Sequence, residues 1–352
     1  MGYDIEEIRH LFLTVLMISA LSRRDAFEFG VIVGSDSGLR SLVFGAPAVW
    51  HARQREFVVS KFPPGMKECN IEDGESNIWR RCMLTEFLAQ GATALNLMLS
   101  VFLYPFSQIP FTDPQFENKH VLVGEGIDRM TLPVGVHDAG SDAPTVLFFM
   151  GNGGTRQAFV RMMQPYIDAN MSVVIMPYRG GEGIGSYPSE SLLKADALVT
   201  FDALDEILGH SSPSVHVHGF SLGTGIALNI AAVRDVDSVI LVSPYAKICE
   251  VVEKSALIPV CAIDGLDKWE SIKLAPLVDE PVFIAHGMKD TTIHVSHGKR
   301  LAVALSDAGA PVLLHFYSKA HHNDIDVTSG VSSDVVAWIN GGYSDLRKRN
   351  SR

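Results

Sequence analysis

Cysteine is scarce in this chain: Cys69, Cys82, Cys249 and Cys261 are the only four in 352 residues, and no two stand at CxxC spacing. That excludes a cysteine-built zinc site and a dithiol redox motif, and it suits a reducing compartment. Cys249 and Cys261 do not lie in a Gly-rich turn, so they are expected to be buried, inert thiols rather than nucleophiles. Basic charge is also short. Lys and Arg number 29 against 40 Asp and Glu, giving a net charge of −11 at pH 7. Phosphate binding needs a concentrated basic face, so nucleic acid is not an expected partner. The basic cluster "LRKRNSR" (Leu346 to Arg352) reads as a solvated tail. There is no low-complexity run and no internal repeat, and the composition, 47% hydrophobic, is that of a globular chain with a sizeable core.

A secretory leader is not recognisable either. "LFLTVLMISALS" (Leu11 to Ser22) is apolar, but Asp4, Glu6 and Glu7 precede it where a signal peptide carries positive charge. It reads as a buried or interfacial helix. "FLAQGATALNLMLSVFLYPF" (Phe87 to Phe106) has no charged residue and the roughly 20-residue length that spans a bilayer. Gln90, Asn96 and Ser100 dilute it and Pro105 ends it. A buried helix, a helix on a membrane surface and a span all remain open. The expected location is cytoplasmic, with membrane association through the N-terminal region as the alternative.

The chain changes character near residue 115. Residues 1–115 read as an apolar, helical extension with a Pro- and Gly-rich polar stretch; 116–345 read as one α/β domain; 346–352 are the tail. In the second region apolar runs alternate with helix-like segments, the signature of a mostly parallel, doubly wound sheet. "HVLVGEGI" and "MTLPVGVH" predict an opening hairpin; "TVLFFM", "SVVIMPY", "SVHVHGF", "SVILVS", "PVFIAHG" and "VLLHFYS" predict six further strands. Residues 245–280 form a short irregular insert, read as a small lid. Sites in such sheets lie beyond the carboxyl ends of the strands.

Four of those ends carry chemistry. "GFSLGTG" (Gly219 to Gly225) places Ser221 in a G-x-S-x-G turn between strand and helix, where the hydroxyl is exposed beside a positive helix N-terminus. "FFMGNGGTR" (Phe148 to Arg156) is a Gly-rich loop before a helix expected to begin near Thr155. It lacks the Lys-Ser/Thr of a phosphate loop, so it is read as an oxyanion loop, with Asn152 and Gly153 as candidate donors beside the Leu222 N–H. "PVFIAHGMKD" ends in Asp290, and "SKAHHNDID" (Ser318 to Asp326) brings His321 and His322 after the last strand. A serine is a poor nucleophile until an imidazole takes its proton and a carboxylate fixes the imidazole's tautomer, and the order Ser, acid, His fits. Asp264 and Asp267 are rival acids. His321, His322, Asp324 and Asp326 could alternatively bind metal. His216 and His218 are expected in the core, Arg179 is read as a structural arginine binding loop carbonyls or a carboxylate with a substrate-anion role as the alternative, and His286 and His294 flank Asp290 without a metal-ligand pattern.

Together "YRGGEGIGSYPSE", "GFSLGTG", "SPYAKICEVV", "HGMKD", "HGKRLAVAL" and "HHND" resemble the α/β-hydrolase superfamily. More narrowly, they resemble its abhydrolase-domain serine hydrolases, a group that includes membrane-associated protein depalmitoylases. The resemblance covers about residues 128–340. It implies an α/β-hydrolase fold, no cofactor, and a triad of Ser221, Asp290 and His322, because in that group Asn and Asp follow the catalytic histidine. Met150 stands where the group carries histidine, and His321 where it usually carries glycine. The implied activity is cleavage of a small-molecule or protein-borne acyl ester or thioester. A peptidase or acyltransferase with the same triad, and a non-catalytic scaffold, are the alternatives.

Overall fold

The computed structural model describes residues 103–342 apart from 154, 257 and 258, together with four short strands nearer the N-terminus. The chain divides into Met1–Leu84 and Thr85–Arg352. In the first unit Val31–Val33 pairs antiparallel with Arg40–Leu42, and Ala48–Trp50 with Phe57–Val59. The helix expected over Leu11 to Ser22 lies outside the described residues, as does all of the Phe87–Phe106 segment before Leu103. Among the described residues no helix is long and apolar enough to cross a membrane.

The second unit is built on eight strands: β1 (Glu117–Val123), β2 (Met130–His137), β3 (Thr145–Phe149), β4 (Ser172–Ile175), β5 (Val215–Phe220), β6 (Ser238–Val242), β7 (Val282–Gly287) and β8 (Val312–Tyr317). Their spatial order is β8-β7-β6-β5-β3-β4-β2-β1. β2 runs antiparallel to both β1 and β4, and the other neighbours are parallel. The reversal at β2 puts the β1–β2 turn at the same end of the sheet as the carboxyl ends of the parallel strands.

The residue choice explains the layers. Every residue of β3, β4, β6 and β7 is buried, as both-face coverage requires of Val-, Ile- and Phe-rich strands. Edge strand β1 instead exposes most of its length. The covering helices are α1 (Arg156–Asp168), α2 (Glu190–Asp202), α3 (Leu204–Leu208), α4 (Leu222–Ala231), α5 (Ile248–Ala256), α6 (Ser296–Ala308), α7 (Ile325–Ser329) and α8 (Val331–Ala337). Local signals set their ends. The Thr155 hydroxyl caps α1 by accepting the Ala158 N–H, Ser189 caps α2 through the Leu192 N–H, and Gly309 closes α6 at φ 106°.

Two expectations need correcting. The first is the boundary near residue 115. Leu103, Tyr104, Phe106 and Phe111 are buried in the core of the sheet unit, so this segment belongs to it. The Tyr104 hydroxyl donates to Asp267 Oδ2 at 2.7 Å and accepts from Trp269 Nε1 at 2.8 Å, tying the segment to the β6–β7 insert. The second concerns cysteine. Cys249 on α5 and Cys261 on the following turn form a disulfide, with Cα atoms 5.1 Å apart, rather than two inert thiols. Their separation of 12 residues bears no motif; the turn after α5 makes them neighbours. The pairing removes the cysteine argument for a reducing compartment, since disulfides persist where conditions oxidise.

Closing a loop of that length restricts the unfolded chain, so replacing both Cys249 and Cys261 by Ser is expected to lower the unfolding free energy by about 2–3 kcal/mol. Denaturant titration measures the difference, and non-reducing peptide mapping checks the link. Tyr104→Phe removes the hydroxyl from both Asp267 and Trp269 in one step. It is expected to destabilise the fold by about 1–3 kcal/mol, read as a lowered melting temperature.

Candidate active site

Ser221 sits where β5 gives way to α4, at φ 51° and ψ −116°, a conformation that costs a non-glycine residue on the order of 1–3 kcal/mol. The surrounding backbone leaves it no alternative. A Cβ on Gly219 would stand 2.3 Å from the Gly223 carbonyl oxygen, and one on Gly223 would stand 2.1 Å from that of Phe149. Strand, turn and helix therefore pass at distances that only glycine permits. The Ser221 N–H donates to Val242 O on β6 at 2.9 Å, which fixes the turn to the neighbouring strand.

The other strand ends converge on it. His322 Nε2 lies 2.9 Å from Ser221 Oγ, and His322 Nδ1 lies 2.7 Å from Asp290 Oδ2. Since a carboxylate only accepts, Nδ1 carries the hydrogen and Nε2 is left to accept the serine proton. Asp290 Oδ1 accepts the N–H groups of Thr292 at 2.9 Å and Ile293 at 2.8 Å. Burial disfavours the charged carboxylate, but the histidines and the Ile293 N–H outweigh it and hold Asp290 well below the usual carboxylate range. All three residues are nearly enclosed, at 7%, 8% and 3% exposure for Ser221, His322 and Asp290.

The rivals are occupied elsewhere. Asp267 binds Tyr104 and the Glu190 N–H, and Asp264 is an exposed partner of Lys268. His321 is exposed and donates its backbone N–H to Asp324 Oδ1, while Asp326 Oδ1 accepts from Ser332. Among the described residues no group of three His, Cys, Asp or Glu stands where it could hold a metal ion. His218 is enclosed against Tyr166 and His216 against Ser238. Burial pushes the His218 imidazole down to about 3, so it stays neutral.

The glycine loop reaches the serine. A Cβ on Gly151 would lie 3.3 Å from Ser221 Cβ and 2.7 Å from the Phe220 ring, so this loop is backed against the turn. Gly153, at φ 72°, lies beside Pro105 of the N-terminal segment, and Asn152 and Gly153 are exposed. Leu222 opens α4, so its N–H has no intrahelical acceptor. The loop is held from behind by Tyr178, whose hydroxyl donates to Met150 O at 2.8 Å. Beyond the loop, Arg156 forms a buried ion pair with Glu182, which also accepts the Arg156 backbone N–H. Arg179 pairs with Asp196 through Nε–Oδ2 and Nη2–Oδ1 bonds of 2.7 and 2.5 Å, both side chains fully buried.

Sequence reasoning missed Tyr104, Tyr178 and Trp269. Nothing in their local sequence marks them, because their partners lie at distant positions in the chain.

A model of the dienelactone hydrolase family matches residues 186–328, a span holding Ser221, Asp290 and His322 but not the glycine loop. A putative alpha/beta hydrolase of Acanthamoeba polyphaga mimivirus is 30% identical over 184 residues, covering 51% of this chain and 67% of the relative. A lysophosphatidylserine lipase of Xenopus tropicalis is 38% identical over 115 residues, covering 30% of this chain and 29% of that protein. Among solved structures an esterase of Pyrococcus furiosus superposes with a TM-score of 0.55 at 21% identity, covering 67% of this chain and 98% of the esterase. Strand order, elbow and relatives agree: the chain belongs to the alpha/beta-hydrolase superfamily.

Proposed function

We propose that the chain is a serine hydrolase that cleaves acyl esters or thioesters through a covalent acyl-enzyme. The observation that carries this reading is the unbroken hydrogen-bonded chain from Ser221 Oγ through His322 to Asp290. In the first half-reaction Ser221 Oγ attacks the acyl carbonyl carbon while His322 Nε2 takes its proton. Asp290 stabilises the imidazolium and holds its tautomer. Negative charge gathers on the former carbonyl oxygen, where the Leu222 N–H and a donor from Asn152 or Gly153 receive it. Collapse breaks the bond to the leaving alcohol or thiol, which departs with the proton from His322. Water, deprotonated by the same imidazole, then attacks the acyl-serine and releases the carboxylic acid.

The sheet unit alone supplies every group in this scheme. The Leu103–Phe106 segment adds a boundary: Pro105 borders the glycine loop, and Tyr104 fastens the segment to the insert. The acyl group comes from a small molecule or a modified protein.

Fluorophosphonate labelling with turnover of a p-nitrophenyl acyl ester series tests the reading. Labelling of the wild-type chain is expected and labelling of Ser221→Ala is not; equal labelling of both would sink the proposal. His322→Ala is expected to lower kcat by about 10⁴- to 10⁶-fold. His321→Gly, at an exposed position, is expected to stay within about threefold of wild type, the scale of a surface substitution. Asp290 is held ionised far into acid, so its own protonation is not expected on the acid limb of kcat/KM. A limb with a two-proton slope in the pH–rate profile would show Asp290 titrating in the working range.

A further inference from the structure

His286, the second histidine beside the carboxylate, has no part in that scheme, yet it is fully buried at the end of β7, four residues before Asp290. Its Nε2 lies 2.8 Å from the Ile293 carbonyl oxygen and 3.5 Å from Asp290 Oδ2. Both neighbours only accept, so Nε2 carries the hydrogen. Nδ1 has no hydrogen-bond partner among the described residues. It faces α6, where a Cβ on Gly298 would come within 2.5 Å of it. A buried nitrogen without a partner is costly, and a core position serving packing alone is better filled by Leu or Phe. The ring's other nitrogen therefore has to account for it.

Nε2 explains the choice. Ile293 is held from both ends: its N–H donates to Asp290 Oδ1, and its carbonyl accepts from His286. The turn from Asp290 to Ile293 is thus closed into a ring of bonds in which His286 fixes the residue that fixes the carboxylate. The same N–H leans toward Oδ2, the oxygen that receives His322.

We propose that His286 is the positioning residue of the acid, holding the Asp290 carboxylate in the orientation that meets His322. This rests on the hydrolase reading above. His286 touches no reacting atom; it acts through Asp290, and Gly298 is the position on α6 that makes room for its ring.

Two substitutions separate the parts. His286→Phe keeps a ring and removes the donor, whereas His286→Gln places an amide N–H near the position of Nε2. His286→Phe is expected to lower kcat by about tenfold to a hundredfold with KM unchanged, the scale of a small misplacement of a catalytic group. His286→Gln is expected to recover most of that loss. In an Asp290→Ala background His286→Phe is expected to cost nothing further, an outcome that general loosening of the core would not give. Should His286→Phe fail to fold, His286→Leu takes its place. Proton NMR supplies a readout that does not need turnover. The low-field resonance of the His322 Nδ1 hydrogen is expected to shift or broaden in His286→Phe and to return in His286→Gln. An active wild type with unchanged kcat and an unmoved resonance in His286→Phe overturns the proposal. So does an equal loss in the Asp290→Ala background. An inactive wild type whose resonance still responds would sink the hydrolase reading while supporting His286 as the holder of Asp290.

Discussion

The backbone at Ser221 is the constraint on which the rest of the site is built. A residue at φ 51° with a side chain is strained, and it persists only where its surroundings over-determine it. Here they do so from three sides. Gly219 and Gly223 allow β5 and α4 to meet, the Phe149 carbonyl at the end of β3 closes against Gly223, and Val242 of β6 takes the Ser221 N–H. Three adjacent parallel strands thus fix one hydroxyl. The elbow inherits the rigidity of a sheet whose central strands are wholly buried.

Around that fixed point, charges buried away from water hold the loops. Arg179 with Asp196, and Arg156 with Glu182, are pairs whose desolvation would be costly unless both partners were satisfied. Each ties a loop to a helix. Arg156 lies just past the glycine loop and reaches back to Glu182, while Arg179 follows Tyr178, the residue that supports Met150. Removing one member of such a pair strands a charge in the core. The pairs are thus better understood as fixing loop geometry than as a source of net stability.

A third set of contacts joins parts far apart in sequence. Tyr104, Asp267, Trp269 and Glu190 gather the N-terminal segment, the β6–β7 insert and the start of α2 into one hydrogen-bonded cluster. The Cys249–Cys261 disulfide tightens the same insert from within. An insert that reads as irregular is therefore anchored at several points.

Strand positions, helix caps and the serine turn were legible in the sequence, because each depends on neighbours a few residues away. "TVLFF" reads as a buried strand, a helix is expected to begin near Thr155, and "GFSLG" reads as an elbow, each from residues a few positions away. The order of serine, acid and histidine could also be read, since topology constrains it. Pairwise partners across the fold could not. That Tyr104 joins the sheet unit, that Tyr178 holds the Met150 carbonyl, and that Cys249 finds Cys261 are matters of distance in space. Composition and spacing carry no such distance. Local sequence determined which elements form and which chemistry each strand end bears. Tertiary packing alone decided which of those ends meet, because only the twist and order of the sheet bring atoms from residues 221, 290 and 322 within 3 Å of one another in sequence along the chain of bonds.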